Sequence, residues 1–185
     1  MTRYFDQAGR DNTKETLRIA IEAAESRGID HMVVASTYGD TGLMAAEMVR
    51  GKGIKLVVVT HNVGFREEGE DQFDPDKRRQ IETLGGVVYT GTMVLRNLGT
   101  AIRDLQGYSQ QDLVANTLRM FGQGMKVCVE IVAMAADAGL IPFDDVVAVA
   151  GTNRGADTAA VIRANSSNRF FAIKIREILA KPRDF

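Results

Sequence analysis

Three short apolar runs constrain the fold of this chain more than any other feature. They are residues 32–35, 56–59 and 146–150, where valine and alanine fill most positions. Apolar runs of about four to eight residues are typical of strands that are buried on both faces. Such strands belong to parallel sheets with helices on both sides, so the runs predict an α/β fold.

The segments between these runs carry helix signals. Asn12 with Glu15 three residues later predicts a capping box, and Asp74 followed by Pro75 is typical of a helix start. Gly28 is placed to end the first helix. We predict strands over residues 31–36, 55–60, 86–90, 145–150 and 170–178, and helices over residues 12–27, 43–50, 74–85, 109–121, 123–138 and 156–164.

The alternation of strands and helices predicts one domain over residues 1–185, with three layers (αβα) around a mostly parallel five-stranded sheet. In the last strand, lysine and arginine alternate with isoleucine over residues 173–176, which predicts an exposed sheet edge. Ligands of such sheets bind beyond the carboxyl ends of the strands. The residues that follow each strand are therefore the candidate site.

Charge and cysteine content exclude several classes of function. The net charge is −1 and lysine and arginine are scattered, so we expect no nucleic-acid partner. No segment has the roughly 18 uninterrupted apolar residues of a membrane span, and no signal run begins the sequence, so we expect a cytoplasmic protein without a membrane partner. The single cysteine, Cys128, excludes an internal disulfide and a cysteine-based metal cluster, and we expect no metal site.

The turn after the first predicted strand has the composition of a phosphate site. Free backbone N–H groups and the positive end of a helix dipole favour an anion, glycines allow close approach, and hydroxyls donate hydrogen bonds. The simpler alternative is a tight turn in which Asp40 or Thr41 only caps the helix. The candidate ligand-binding residues in this turn are Ser36, Thr37, Tyr38, Gly39, Asp40, Thr41 and Gly42.

A second turn of this kind follows the predicted strand at 145–150. Arg154 either pairs with a phosphate or remains a solvated charge, and Asp157 is predicted to cap the next helix rather than to act as a base. Neither turn is a Walker loop or a complete dinucleotide-binding motif, so ATP and NAD are not indicated. The candidate ligand-binding residues here are Gly151, Thr152, Asn153, Gly155, Ala156 and Asp157.

A third group of candidates follows the predicted strand at 55–60. His61 is the best acid–base candidate, although a histidine in this position is also typical of a hydrogen-bonding or ring-stacking group. Phe65 and Tyr38 are placed to stack on a flat ligand, unless Phe65 belongs to the core. The acidic run at 66–71 predicts a solvated loop that could cover the ligand. The candidate residues are Thr60, His61, Asn62, Gly64 and Phe65.

Two further features each have two interpretations. Lys126, Glu130 and Asp137 share a helix face, as a structural ion pair or as a polar stripe that faces the ligand. Apolar residues of the segment 91–123 either cover the sheet or form a homo-oligomer interface. These residues are Met93, Leu95, Leu98, Ile102, Leu105, Leu113, Leu118, Met120 and Phe121.

The residues of the first turn, with the strands on either side of it, resemble the C-terminal α/β domain of pyruvate kinase. The run 151–159 is similar to that of stand-alone archaeal and bacterial proteins of the pyruvate kinase α/β-domain family. In pyruvate kinase this domain carries no catalytic residue, and in many members it binds a phosphorylated effector through its Ser/Thr-Gly turn. The resemblance implies a phosphate site and no pyruvate kinase activity, since the catalytic barrel needs roughly 250 residues of its own. It implies the site at Ser36, Thr37, Gly39, Thr41 and Gly42.

The departures from this family refine the expected ligand. Asp40 stands where the kinase domain often has a basic residue, and the segment 91–123 has no clear counterpart, so the resemblance favours a monophosphate over a sugar bisphosphate. The stand-alone relatives imply a nucleotide-like ligand such as flavin mononucleotide (FMN). The alternative is a sugar-phosphate isomerase-like enzyme, since that family also has a Ser-rich turn after a strand. Its base would be His61, Glu130 or Asp157, and no residue is assigned as catalytic.

Overall fold

The computed structural model describes all 185 residues and contains a seven-stranded mixed sheet. In chain order, the strands are β1 (Arg3–Gln7), β2 (His31–Ala35), β3 (Lys55–Thr60), β4 (Val87–Thr90), β5 (Asp145–Ala150), β6 (Thr158–Arg163) and β7 (Lys174–Asp184). Their order across the sheet is β1-β7-β6-β5-β2-β3-β4. The α/β class predicted from the apolar runs is therefore confirmed.

Six α-helices cover the two faces of this sheet. They are α1 (Thr13–Arg27), α2 (Asp40–Val49), α3 (Pro75–Thr83), α4 (Asn97–Gln106), α5 (Gln110–Arg119) and α6 (Gln123–Asp137). None of them has both the length and the hydropathy needed to cross a membrane.

Two cores form because successive side chains of a strand point to opposite faces. Met32 and Val34 of β2 pack with α1, α2 and α3, whereas Val33 between them packs with α6. All three side chains are fully buried. Two helical layers therefore enclose the central strands, as the apolar runs predict.

The central strands bring several chain turns to one edge of the sheet. β2 is parallel to β3 and β5, and β3 is parallel to β4. The carboxyl ends of these strands therefore meet at the same edge, which places the residues after Ala35, Thr60 and Ala150 close together. β6 runs antiparallel to β5, and β7 runs antiparallel to β6.

The helix starts predicted at Asp74 and Asn12 have different outcomes. The Asp74 carboxylate accepts hydrogen bonds from the backbone N–H groups of Asp76 and Lys77, and Pro75 occupies the first turn, as predicted. The capping box at Asn12 is wrong. A short 3-10 turn over residues 10–12 precedes α1, so Asn12 has helical rather than extended backbone angles and its amide donates to the Gln7 carbonyl.

The predicted helix over residues 156–164 is wrong, because residues 158–163 form the strand β6. Residues 159–162 are almost fully buried and pair antiparallel with β5, Val147 lying opposite Val161. A four-residue apolar run has no periodicity that separates a buried strand from a buried helix. The turn at 151–157 consequently joins two strands, and no helix dipole follows it.

The sheet has seven strands rather than the predicted five, because β1 and β6 were not predicted as strands. β7 as a whole lies between β6 and β1 rather than at an edge. β1 pairs only with the second half of β7, from Ala180 onward, so residues 174–177 remain exposed beside β6, as their charges suggested. β1 and α4 were not predicted.

Candidate functional site

A cavity of about 440 Å³ lies at the carboxyl edge of the central strands. Its walls include the residues that follow β2, β3 and β5, the first turns of α1 and α2, and one side of α6 from Gln123 to Met134. Cavities of roughly 300–1,000 Å³ are usual for small-molecule sites. The cavity thus occupies the position that an open α/β sheet offers to a ligand.

Three helix N-termini converge on this cavity. Thr13 opens α1, Thr41 belongs to the first turn of α2 and Gln123 opens α6, and all three line the cavity. The first N–H groups of a helix lack intrahelical acceptors, and the macrodipole makes this end positive. The three helices together therefore favour an anion in the cavity.

The turn between β2 and α2 has unused hydrogen-bond donors. The Ser36 N–H donates to the Val59 carbonyl and the Leu43 N–H to the Gly39 carbonyl, but no N–H group of residues 37–42 has a protein acceptor. Ser36 and Thr41 are only 6 % exposed, line the cavity, and have hydroxyls without a protein partner. These donors are available to a bound molecule.

Positive charge predominates around the cavity. Among its cationic residues, only Lys126 has a carboxylate within 4.0 Å. The Asp40 carboxylate is engaged by the Lys77 ammonium at 2.7 Å, and this hydrogen bond holds the pKa of Asp40 below its ordinary value. The cavity is therefore electrostatically suited to an anion. Its cations are Arg10, Lys14, Arg66, Arg96, Arg119, Lys126 and Arg154, and its carboxylates are Asp11, Asp40 and Glu130.

Three ring side chains line the cavity, those of Tyr38, His61 and Phe65. The His61 and Phe65 rings stack with their centroids 3.9 Å apart, and the Arg96 guanidinium lies 4.5 Å from the Phe65 centroid. The Arg154 guanidinium lies 5.0 Å from the Tyr38 centroid. His61 Nδ1 is 3.1 Å from Gln72 Oε1, so a proton on Nδ1 leaves Nε2 as a free acceptor. Burial lowers the pKa of His61, against the opposing effect of the Gln72 hydrogen bond.

The lowered pKa of His61 predicts an acid-dependent loss of stability. Because the unfolded chain titrates at the ordinary pKa near 6.5, it binds more protons than the folded chain as the pH falls through that value. We expect urea denaturation to give a lower free energy of unfolding at about pH 5.5 than at about pH 7.5. The difference should shrink in His61→Gln; an undiminished pH dependence in that variant would assign the effect to other groups.

A buried ion pair lies on the α6 side of the cavity. Lys126 and Glu130 are 3 % and 1 % exposed, and the Lys126 ammonium donates to Glu130 Oε2. Glu130 Oε1 accepts the N–H of Leu95 at 2.7 Å. Burial lowers the pKa of Lys126, and the Glu130 charge opposes this shift. Asp137, the third member of the predicted stripe, is exposed and accepts the N–H of Ser167 instead.

Most of the ligand-binding candidates from the three turns line the cavity, and the others lie outside it. Those that line it are Ser36, Thr37, Tyr38, Asp40, Thr41, Thr60, His61, Phe65, Gly151, Asn153 and Gly155. Those that do not line it are Gly39, Gly42, Asn62, Gly64, Thr152, Ala156 and Asp157.

The two glycines of the first turn serve packing rather than ligand approach. A Cβ at Gly42 would lie 2.6 Å from Val58 Cγ1, so this glycine lets α2 approach β3 closely. Gly39 has a φ of 97°, and a Cβ there would meet the Lys77 side chain at 2.8 Å. Asn62 is also engaged within the protein, since its Oδ1 accepts the amide of Asn97 at 2.8 Å.

Asp157 is a structural residue rather than a helix cap or a base. It is fully buried, and Oδ2 accepts the N–H groups of Gly9 and Thr152, each at 3.0 Å. Oδ1 accepts the Thr158 hydroxyl at 2.8 Å. The carboxylate therefore ties the turn at 151–157 to the chain before α1, and both segments line the cavity through residues such as Arg10.

Several cavity residues were not predicted because they do not follow a strand. Arg10 lies in the turn before α1, Lys14 lies in the first turn of α1, and Arg96 precedes α4. A helix that leads into a parallel strand begins at the carboxyl edge, so the start of α1 was a usable signal. Nothing local marks Arg96, because α4 itself was not recognised. Other cavity residues outside the list of candidates include Arg119 and the methionines Met44, Met93 and Met134.

Known proteins resemble this chain in one domain. The model of the pyruvate kinase alpha/beta domain family matches residues 14–162. Two structures of Cryptosporidium parvum pyruvate kinase, one of them in complex with ADP, each show 13 % identity and a TM-score of 0.46 over 83 % of this chain. O-ureido-L-serine synthase shows 17 % identity and a TM-score of 0.34 over 71 % of this chain and 40 % of its own.

The matches differ in how much of each protein they cover. This chain spans 23 % and 24 % of the two pyruvate kinase chains, so the similarity concerns one part of that enzyme. The family match, in contrast, extends from the second residue of α1 to the penultimate residue of β6 and takes in every strand that borders the cavity. The chain therefore belongs to the pyruvate kinase alpha/beta domain family.

Proposed function

We propose that this chain binds a phosphorylated small molecule in the cavity at the carboxyl edge of its sheet. The observation that carries the proposal is the turn between β2 and α2, where the N–H groups of residues 37–42 and the hydroxyls of Ser36 and Thr41 have no protein acceptor. Cations without carboxylate partners surround the same cavity. Backbone N–H groups at a helix start together with arginine side chains form the usual chemistry of phosphate recognition.

We propose a binding or regulatory role without pyruvate kinase activity. The family match concerns the domain that, in pyruvate kinase, carries no catalytic residue. The nearest acid–base candidates are also engaged within this protein: Glu130 by Lys126 and Leu95, and Asp157 by its three donors. A sugar-phosphate isomerase-like activity, the alternative, therefore depends on His61, whose Nε2 has no protein partner.

FMN is the ligand that we propose to test first, because it joins a phosphate monoester to a flat ring. The donors at Ser36 and Thr41 and the surrounding cations fit its phosphate. Stacking of the ring on Tyr38 or Phe65 requires a rearrangement, since a guanidinium group lies over each of these side chains. Both arginines are exposed, and each exposed cation–π contact contributes only about 0.5–1 kcal/mol. A ring can therefore displace them at a small cost in free energy.

Thr41→Val tests the location of the phosphate. The substitution keeps the shape of the side chain and removes one free donor, so we expect inorganic phosphate and FMN to bind about fivefold more weakly in calorimetry. Stability should change little, because the lost hydroxyl has no protein partner.

Thr83→Val is the matched control for this experiment. Thr83 is exposed on α3 and its hydroxyl donates to the Arg79 carbonyl, away from the cavity. The control should bind both probes as the wild type does. Unchanged affinity in Thr41→Val would remove this turn from the binding site.

A further inference from the structure

We propose that the buried Lys126–Glu130 pair is a second anchor for the ligand, and that it recognises the polar edge of a ring far from the phosphate. This inference rests on the proposed function, because it takes the turn between β2 and α2 as the phosphate end. It assigns the ligand to the nucleotide-like monophosphates rather than to the simple sugar phosphates.

The two anchors lie on opposite sides of the sheet. α2, which carries Thr41, packs in the layer of α1 and α3, whereas α6, which carries Lys126, packs on the other face. The cavity joins the two sides across the ends of the central strands. A molecule that reaches both anchors must extend well beyond its phosphate group, and a volume of about 440 Å³ accommodates such a molecule.

Folding explains only part of the pair: Glu130 accepts the Leu95 N–H, but the Lys126 ammonium has no protein partner other than Glu130. The cost of removing two charges from water can exceed the attraction between them, and apolar residues of similar size often replace a buried pair without loss of stability. The neighbours on α6 are apolar, with Met125, Val129 and Ile131 all buried. Apart from the acceptor that Glu130 provides for the Leu95 N–H, an apolar pair at 126 and 130 would therefore suit this helix for folding.

The pair also keeps unused hydrogen-bonding capacity. An ammonium has three N–H donors, and the only protein acceptor of Lys126 is Glu130. Glu130 accepts one hydrogen bond at each oxygen, from Leu95 and from Lys126, and so retains lone pairs. Because both residues line the cavity, an N–H donor and a carboxylate acceptor stand side by side at its wall.

This donor and acceptor pair defines the chemistry of the ligand. It complements a ring edge on which a carbonyl or ring nitrogen lies next to an N–H group, as in nucleobases and flavins. Val127, Ile131 and Met134 line the cavity beside the pair and provide apolar contact for the faces of such a ring. A sugar phosphate has hydroxyl groups but neither the flat faces nor this edge.

The test compares two double variants that have the same net charge as the wild type. Lys126→Met/Glu130→Gln removes both charges, and the amide oxygen of the new glutamine side chain can still accept the Leu95 N–H. Lys52→Met/Glu25→Gln makes the same changes at an exposed ion pair outside the cavity. We expect the first variant to bind FMN and AMP about tenfold more weakly and inorganic phosphate unchanged, and the control to bind all three as the wild type does.

Each other outcome contradicts the inference in a distinct way. Equal weakening of FMN, AMP and inorganic phosphate would place the pair in the phosphate site, and no weakening would make it structural. A wild type that binds phosphate but neither FMN nor AMP would exclude a ringed ligand while the proposed function stands. A wild type that binds none of the three would contradict the proposed function itself.

A second measurement requires no substitution in the core. In the wild type, FMN or AMP should bind at least about tenfold more tightly than ribose 5-phosphate, which has the phosphate but no ring. Equal affinity would overturn the inference even if the Lys126 variant failed to fold.

Discussion

Asp157→Ala is expected to lower the free energy of unfolding by about 3 kcal/mol or more, because hydrogen bonds to a charged group are strong and their loss leaves buried donors without acceptors. The donors are the N–H groups of Gly9 and Thr152 and the hydroxyl of Thr158. The alanine also releases the turn at 151–157 from the chain before α1, so the cavity should lose affinity for phosphate. Urea denaturation and calorimetry measure the two effects.

Asp157→Asn is the matched control. The amide oxygen of the asparagine can accept both backbone N–H groups, and its NH₂ group can donate to the Thr158 hydroxyl, which then acts as the acceptor. We expect this variant to remain within about 1 kcal/mol of the wild type. Equal destabilisation by alanine and asparagine would show that the negative charge, and not the set of hydrogen bonds, holds the turn.

Gly42→Val is expected to lower the free energy of unfolding by about 2–3 kcal/mol through overpacking. A Cβ at this position lies 2.6 Å from Val58 Cγ1 and 3.2 Å from Ile81 Cδ1, so the added side chain must push α2 away from β3. Gly42 does not line the cavity, and the substitution therefore tests packing rather than ligand binding. Thermal or urea denaturation measures the loss.

A double-mutant cycle identifies the clash. The methyl groups of Val58 are the closest obstacle to a Cβ at position 42, so Gly42→Ala should be less harmful in a Val58→Ala background than in the wild type. Additive effects of the two alanines would mean that the space beside Gly42 is not the limiting factor.

The central strands were predictable because burial on both faces leaves a sequence pattern. β2, β3 and β5 are continuous apolar runs, and their parallel order follows from the helices between them. β1 leaves no such pattern. Only Phe5 of this strand is buried, and the strand pairs with residues from Ala180 onward, at the far end of the chain. Pairing at that sequence separation depends on the completed sheet.

β6 shows a second limit. Its apolar run at 159–162 fits a buried helix as well as a strand, and the preceding glycine turn resembles the start of a helix. The error changed the interpretation of Asp157, which became a helix cap in place of the residue that accepts three hydrogen bonds. The role of Asp157 was therefore predicted wrongly because the strand that follows it was predicted as a helix.

The candidate site was predictable in its position and only partly in its composition. The residues after β2, β3 and β5 must meet at one edge, and Ser36, His61 and Gly151 do so. Arg66 and Arg154 follow β3 and β5, but other cations come from elsewhere: Arg10 from the turn before α1 and Arg96 from the segment before α4. Their positions depend on which helix ends reach the edge, and single-sequence patterns do not contain that information.

The most direct test of the proposed function is a mass spectrum of the small molecules released when the freshly purified protein is denatured. We predict a phosphate monoester in an amount close to that of the protein. An accompanying absorbance spectrum identifies a flavin if the monoester is FMN. An extract that contains no phosphorus compound, obtained from folded protein, would contradict the proposal that the cavity binds a phosphorylated ligand.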